Sequence, residues 1–275
     1  MATIEEELVA SFHDTVKAFT SYQDLIQSTQ LMVDSTLVYF ENYSTINKTL
    51  KRRRTIVKVT PNTTFKCASE YVDRYKRVAV LNFANPYHPG GGVEQGNMAQ
   101  EECLCRSSNL YAALTCKYIL TNYYDRNSRN RTPFGTDSVI YSKGVTVFKS
   151  DDAVPQKLDK TFKVDVITCA APYYNSTYGP YNPNQYKPAF YSRIKNILEV
   201  AISNDVDVLI LGAFGCGAFN NSPEVVASVF GRLLFTEGYS HYFRRVVFAI
   251  KPDENNDNYE VFKEILDTGH RDVED

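Results

Sequence analysis

Apolar positions in this 275-residue chain follow two rhythms that alternate along its length. Ile4, Leu8, Phe12, Val16 and Phe19 recur every three or four residues, which predicts a helix with one apolar stripe. Helical spacing continues toward Met32, while residues 37–40 fit a strand equally well. Short continuous apolar runs predict strands at 55–59, 78–83, 164–169, 206–211 and 243–250. The run at 206–211 is unbroken, as in a strand covered on both faces.

Helical segments separate these strands. Pro61, Asn62, Thr63 and Thr64 offer turn and capping chemistry for a segment running to Tyr75. Leu104, Leu110, Tyr111 and Leu114 predict a helix over 101–115. Phe190, Ile194, Ile197, Leu198 and Ala201 predict another, and two more run from Pro223 to about 235 and from Tyr259 to Leu266. Residues 139–141 and 145–148 read as a hairpin turning at Ser142, Lys143 and Gly144. Residues 122–136, rich in Asn, Arg and Tyr, read as a surface connection, and the acidic tail as frayed. Strands alternating with helices predict a three-layer α/β domain, and the hairpin makes its sheet mixed. Residues 1–54 form an N-terminal helical extension packed on that core, and 55–275 form the core domain.

Composition narrows the function more than the fold. A formal net charge of −2 excludes a broad positive field, so nonspecific nucleic-acid binding is not expected and an anionic ligand needs a local site. The run Lys51, Arg52, Arg53, Arg54 reads as a solvated turn. Six cysteines without a regular framework predict free thiols in a reducing compartment. The acidic N-terminus is unlike a signal peptide and no apolar run reaches membrane length, which together predict a cytoplasmic protein without membrane contact.

The candidate chemistry lies in residues 82–106. Gly90, Gly91 and Gly92 let the backbone take positive φ and approach another group closely. Gln100, Glu101 and Glu102 then set an amide and two carboxylates at a helix start, where negative charge is favoured. Adjacent carboxylates point different ways, so the two have different jobs. A second glycine loop, Gly212-Ala213-Phe214-Gly215-Cys216-Gly217-Ala218-Phe219, joins a strand to a helix and so offers an anion cradle of backbone N–H groups. It is neither a Walker A loop nor GxGxxG. The four histidines are scattered, and Cys103 and Cys105 diverge on a helix, so no metal and no cofactor are expected. Cys216 has a glycine-loop setting that suits a lowered pKa, but no neighbouring base.

GGG, a short spacer and QEE, preceded by Phe83-Ala84-Asn85, resembles the signature of the poly(ADP-ribose) glycohydrolases, most closely the bacterial type. GAFGCGAF is similar to the diphosphate loop of that family, and the likeness runs from about Thr55 onward. The family usually continues with Gly-Asn and a proline, whereas here Asn220-Asn221-Ser222 precedes Pro223. The resemblance implies a macrodomain that hydrolyses the ribose–ribose O-glycosidic bonds of poly(ADP-ribose), or of other ADP-ribosylated macromolecules. It implies Glu102 as general acid, with Glu101 and Gln100 on ribose hydroxyls. Asn85, with Phe83 and Ala84, lies at the distal ribose, and Gly90, Gly91 and Gly92 lie against the ligand. Ala213, Phe214, Gly215, Cys216, Gly217 and Ala218 form the diphosphate loop, and Phe219 packs on the ligand. Asn62 and Thr64 are further candidates, explained equally by capping. The tyrosine loop 173–186 is a candidate rim. Bacterial relatives suggest cutting at chain ends. Two alternatives stay open: a binding module without hydrolysis, and hydrolysis of another ADP-ribosyl bond.

Overall fold

The computed structural model describes residues 3–43, 55–130 and 132–267, so the basic run at 51–54 and the acidic tail lie outside the described residues. Helices α1 (Ile4–Ser21) and α2 (Gln23–Asp34) lead into strand β1 (Leu37–Tyr39). Thr3 and Glu6 form a reciprocal capping box that starts α1. Then follow β2 (Ile56–Thr60), α3 (Thr64–Ser69), β3 (Val78–Phe83), α4 (Gln100–Ser107), α5 (Leu110–Leu114), α6 (Lys117–Ile119) and α7 (Asp125–Arg129). The second half holds β4 (Val139–Lys149), β5 (Lys157–Cys169), α8 (Pro183–Ser203), β6 (Val208–Leu211), α9 (Pro223–Gly231), β7 (Arg245–Ala249) and α10 (Asn258–Leu266).

These seven strands form one mixed sheet in the order β1-β4-β5-β3-β6-β7-β2. β1, β4 and β5 pair antiparallel, and the rest pair parallel. Alternation along each central strand feeds two cores. Ala79, Leu81, Leu209 and Leu211 pack with Phe190, Ile194 and Phe230 on one face. Val78, Val80, Val208 and Ile210 pack with Phe12, Phe65, Leu104 and Tyr123 on the other. The result is a three-layer α/β/α fold. The N-terminal segment packs α1 and α2 on the second core and adds β1 to one sheet edge.

Three expectations change. The hairpin at 139–148 is one strand with a bulge: register shifts between Ser142 and Val145, where Gly144 takes φ +73, and the true hairpin partner is β5. The Asp165 carboxylate accepts the Gly144 N–H at 2.9 Å and fixes that bulge. The helix expected over 101–115 breaks at Ser108, which bridges to Val147 in the sheet. Asn109 completes that pairing by accepting from Thr146 N through its side chain and donating its own N–H to Thr146 O. Edge pairing with β4 there replaces helical hydrogen bonds. The connection at 122–136 is not a surface loop, because Tyr123, Tyr124 and Asn127 are buried. Tyr123 hydroxyl accepts the Ala170 N–H, so this segment braces the end of β5.

Candidate active site

β3, β5, β6 and β7 are parallel, and their carboxyl ends open together onto a cavity of about 550 Å³. Ligands bind α/β sheets at such strand ends. Phe83, Ala84 and Asn85 leave β3, Ala171 leaves β5, Ala213 to Phe219 follow β6, and Lys251 follows β7. Arg193, fully buried and paired with Asp137 at 2.7 Å, donates to the Ala170 carbonyl and holds the β5 exit.

The QEE stretch is the opening turn of α4, and each residue has a different partner set. Gln100 clasps the end of β3: its Oε1 accepts from Phe83 N at 2.8 Å, and its Nε2 donates to Leu81 O at 2.7 Å and Thr64 Oγ1 at 3.1 Å. These bonds make Gln100 set the position of the wall, and the residue also lines the cleft. Glu101 is buried, with its carboxylate accepting from Asn82 Nδ2 at 3.2 Å and Asn85 N at 2.7 Å. Burial pushes the Glu101 carboxyl up to about 8 against the pull of those donors, and the neighbouring Glu102 adds to the rise. Glu102 Oε1 accepts the Gly92 N–H at 2.8 Å, whereas its buried Oε2 has no partner among the described residues. Both carboxyls line the cleft.

The glycine triplet serves this wall. Gly90 and Gly91 take φ of +71 and +60. A Cβ on Gly91 would stand 2.3 Å from Glu102 Oε1, one on Gly92 would stand 2.1 Å from Asn97 Nδ2, and one on Gly90 would meet the Tyr111 ring at 2.9 Å. The groups pressed against this backbone therefore come first from the chain itself. Gly92 lines the cleft, while Gly90 is packed behind it. Asn85 Oδ1 accepts from Tyr87 N and His88 N, folding the preceding loop into a turn.

The 212–219 loop is built the other way round. Its back is clamped: Asn221 Nδ2 donates to Pro172 O at 2.7 Å, Gly215 O at 2.9 Å and Phe219 O at 3.2 Å. Among the described residues, the N–H groups of Gly215, Gly217, Ala218 and Phe219 find no acceptor in the protein. Phe214 and Cys216 turn away from the cleft. Phe214 is buried between Phe83 and Phe190, and burial raises the Cys216 thiol, with Glu224 adding to the rise, the opposite of the lowering a nucleophile needs. Asn220 takes φ +54, a left-handed conformation that asparagine tolerates, so the altered loop exit is met without glycine. Ser222 then caps α9 through Val225 N at 3.2 Å, with Pro223 at its first turn.

The tyrosine loop mostly packs on itself behind this loop: Tyr181 stacks on Tyr186 at 4.6 Å, and Tyr174 N–H holds Phe219 O. Tyr173 sits edge-on to Phe219 at 5.4 Å. Thr64 touches the site only through Gln100, and Asn62 bonds Glu70 instead. Helix α3 is capped by the distant Asp151 carboxylate, which takes Phe65 N at 2.6 Å. Sequence reasoning missed Asn97, Ala99, Lys251, Asp253 and Asn258 on the cleft and Asn82 behind Glu101. Lys251, Asp253 and Asn258 follow the end of β7, and it is the pairing of β7 beside β6 that brings them to the cleft.

All six cysteines are free thiols, and burial pushes those of Cys67 and Cys169 up to about 12. Among the described residues no three His, Cys, Asp or Glu side chains converge to hold a metal, and no helix is long and apolar enough to cross a membrane.

Two adjacent carboxylates and a glycine loop thus line one cleft at the carboxyl ends of a mixed sheet in a three-layer α/β/α fold. The microbial-type PARG catalytic domain matches residues 8–150, more than half of the chain, and begins within α1 rather than near Thr55. Poly(ADP-ribose) glycohydrolase from Thermomonospora curvata superposes with a TM-score of 0.84 at 29% identity, over 94% of this chain and 98% of that one. The same enzyme bound to the inhibitor ADP-HPD gives 0.79 at 30% identity with the same coverage. The Deinococcus radiodurans enzyme in complex with ADP-ribose gives 0.76 at 33% identity, over 86% of this chain and 95% of that one. No curated protein matches the chain. The chain belongs to the microbial-type poly(ADP-ribose) glycohydrolase family. Its activity is hydrolysis of poly(ADP-ribose).

Proposed function

We propose that Glu102 is the general acid of this glycohydrolase and delivers its proton through Oε2. The free oxygen carries this reading: it is buried and unpartnered on a residue that lines the cleft, while Oε1 is anchored to Gly92 N–H. Cleavage passes through an oxocarbenium-like state at the anomeric carbon, and the leaving ribose oxygen takes the proton. The carboxylate that remains then takes a proton from the attacking water. Glu101 is a positioning residue: it holds the Asn85 backbone and, resisting ionisation, keeps the wall from carrying two adjacent charges. The free N–H groups from Gly215 to Phe219 hold the diphosphate, which explains how a chain of net charge −2 binds an anion. Phe219 and the turn at Asn85 border the distal ribose. The substrate is poly(ADP-ribose), cut from chain ends, with other ADP-ribosylated macromolecules as the second choice. Its compartment is the reducing cytoplasm, a reading supported by the free thiols.

The test is release of ADP-ribose from poly(ADP-ribose) with a chelator present, comparing the natural chain with Glu102→Gln. The natural chain is expected to keep its rate with chelator, and the variant to lose about a thousandfold in kcat. A variant that retains the natural rate would remove Glu102 from the acid role.

A further inference from the structure

The wall that carries Glu102 has a second side. A separate cavity of about 510 Å³, within the size range of small-molecule sites, opens beside the cleft. Asn85, Gly92 and Asn97 line both spaces. Because Glu102 Oε1 is bonded to Gly92 N–H, the reacting carboxylate stands at the partition between them.

The lining of this second cavity selects for one chemistry. Pro89 and Tyr111 offer flat apolar surface, and Gln95 and Asn97 offer amides with both donors and acceptors. Glu94 places a carboxylate there, oriented by the Tyr111 hydroxyl, which donates to it at 2.6 Å. No lysine or arginine is among the described residues that line it. A diphosphate next to Glu94 would be repelled. The nucleoside part of an ADP-ribose unit, with a flat base, an exocyclic amine and ribose hydroxyls, suits these groups and His88 beside them, provided that the diphosphate on its 5′ carbon stays outside the cavity.

We propose that this cavity is a leaving-side subsite that takes the adenosine whose ribose hydroxyl is released at each cut. The proposal rests on the polymer reading above. In that polymer the broken bond joins the ribose of one unit to the adenosine ribose of the next, so the leaving oxygen belongs to an adenosine whose 5′-diphosphate leads away to the rest of the chain. The bond between the anomeric carbon and the leaving oxygen breaks. Glu102 protonates that oxygen, water supplies the hydroxyl at the anomeric carbon, and the second proton of water returns to Glu102. The subsite makes and breaks no bond. It holds the departing adenosine so that its oxygen lies near the acid, which gains through orientation.

The experiment uses the full chain with two substrates that share the same distal ADP-ribose. One is poly(ADP-ribose), and the other is an ADP-ribose O-glycoside whose leaving group is a small alcohol. The variants are Gln95→Ala and the space-filling Gln95→Trp, at an exposed position where folding is not at stake. With polymer, kcat/KM is expected to fall about tenfold, the size of one lost hydrogen bond in Gln95→Ala and of blocked space in Gln95→Trp, chiefly through KM. With the small glycoside both variants should keep the natural value. Equal losses on both substrates, or no loss on polymer, would overturn the subsite. If the natural chain cleaved the small glycoside but not the polymer, the polymer reading itself would fail and the subsite with it.

Discussion

The two walls of the cleft are held in opposite ways. In the carboxylate wall, self-contacts fill nearly every position: Gln100 grips the end of β3, Glu101 is anchored by Asn82 and Asn85, and the glycines admit Glu102, Asn97 and Tyr111. The 212–219 loop is held from behind by Asn221, and among the described residues four of its N–H groups have no acceptor in the protein. On the proposed roles, the first arrangement prepares a proton donor for the charge that develops during reaction, and the second prepares a site for charge already present in the substrate. Changes in the first wall should therefore move kcat, and changes in the second should move KM.

After Glu102→Gln itself, the largest effect that sharpens this contrast is expected from Gly91→Ala. Its Cβ would have to occupy the space of Glu102 Oε1 at a backbone φ of +60. The carboxylate must turn away, so kcat should fall about a hundredfold in steady-state polymer hydrolysis, with ADP-ribose affinity changed far less. Asn221→Ala should follow, because it releases three carbonyls at once. Here KM is expected to rise about tenfold with kcat nearly unchanged. Gly217→Ala is smaller and cleaner: no heavy atom lies within 4 Å of the added Cβ, and φ is not positive. Thermal melting should stay the same, while KM rises about threefold as the methyl group meets the diphosphate. Gly215→Ala offers the contrast, because its Cβ would meet Ala171 at 2.6 Å and the change would also lower Tm.

A pH-dependent effect separates the carboxyls. Glu101 is raised from 4.5 to about 8 in the folded state, so the folded chain holds a proton there that the unfolded chain has released. That contribution is complete below pH 4.5 and is lost as pH climbs to about 8. Glu101→Gln keeps the acceptor for Asn85 N–H and has no charge to form. Its Tm relative to the natural chain should therefore gain about 10 °C between the two ends of that window. A flat difference across the window would show that Glu101 ionises in the fold as it does in water.

Much of this arrangement was legible in the sequence because it was local. Strand 78–83, the triplet and QEE are contiguous, and their order and spacing carried both fold and chemistry. What escaped reading came from distant pairings. Ser108 and Asn109 look helical by periodicity but are taken by the edge of β4, and Gly144 looks like a hairpin tip but is a bulge held by Asp165. Gln100 shows the same limit within the site: its three partners across the fold, Phe83, Leu81 and Thr64, are not readable from the residues beside it. Lys251, Asp253 and Asn258 reach the cleft only because β7 runs parallel to β6. No local pattern reports that.

The most direct test of the account sets Glu102→Gln beside Asn221→Ala and measures two quantities for each: ADP-ribose affinity by calorimetry and kcat on poly(ADP-ribose). The account predicts that Glu102→Gln binds within about threefold of the natural chain while losing about a thousandfold in kcat, and that Asn221→Ala shows the reverse pattern, with weakened binding and nearly natural kcat. If affinity and kcat fell together in both variants, the division between a reacting wall and a binding loop would be contradicted.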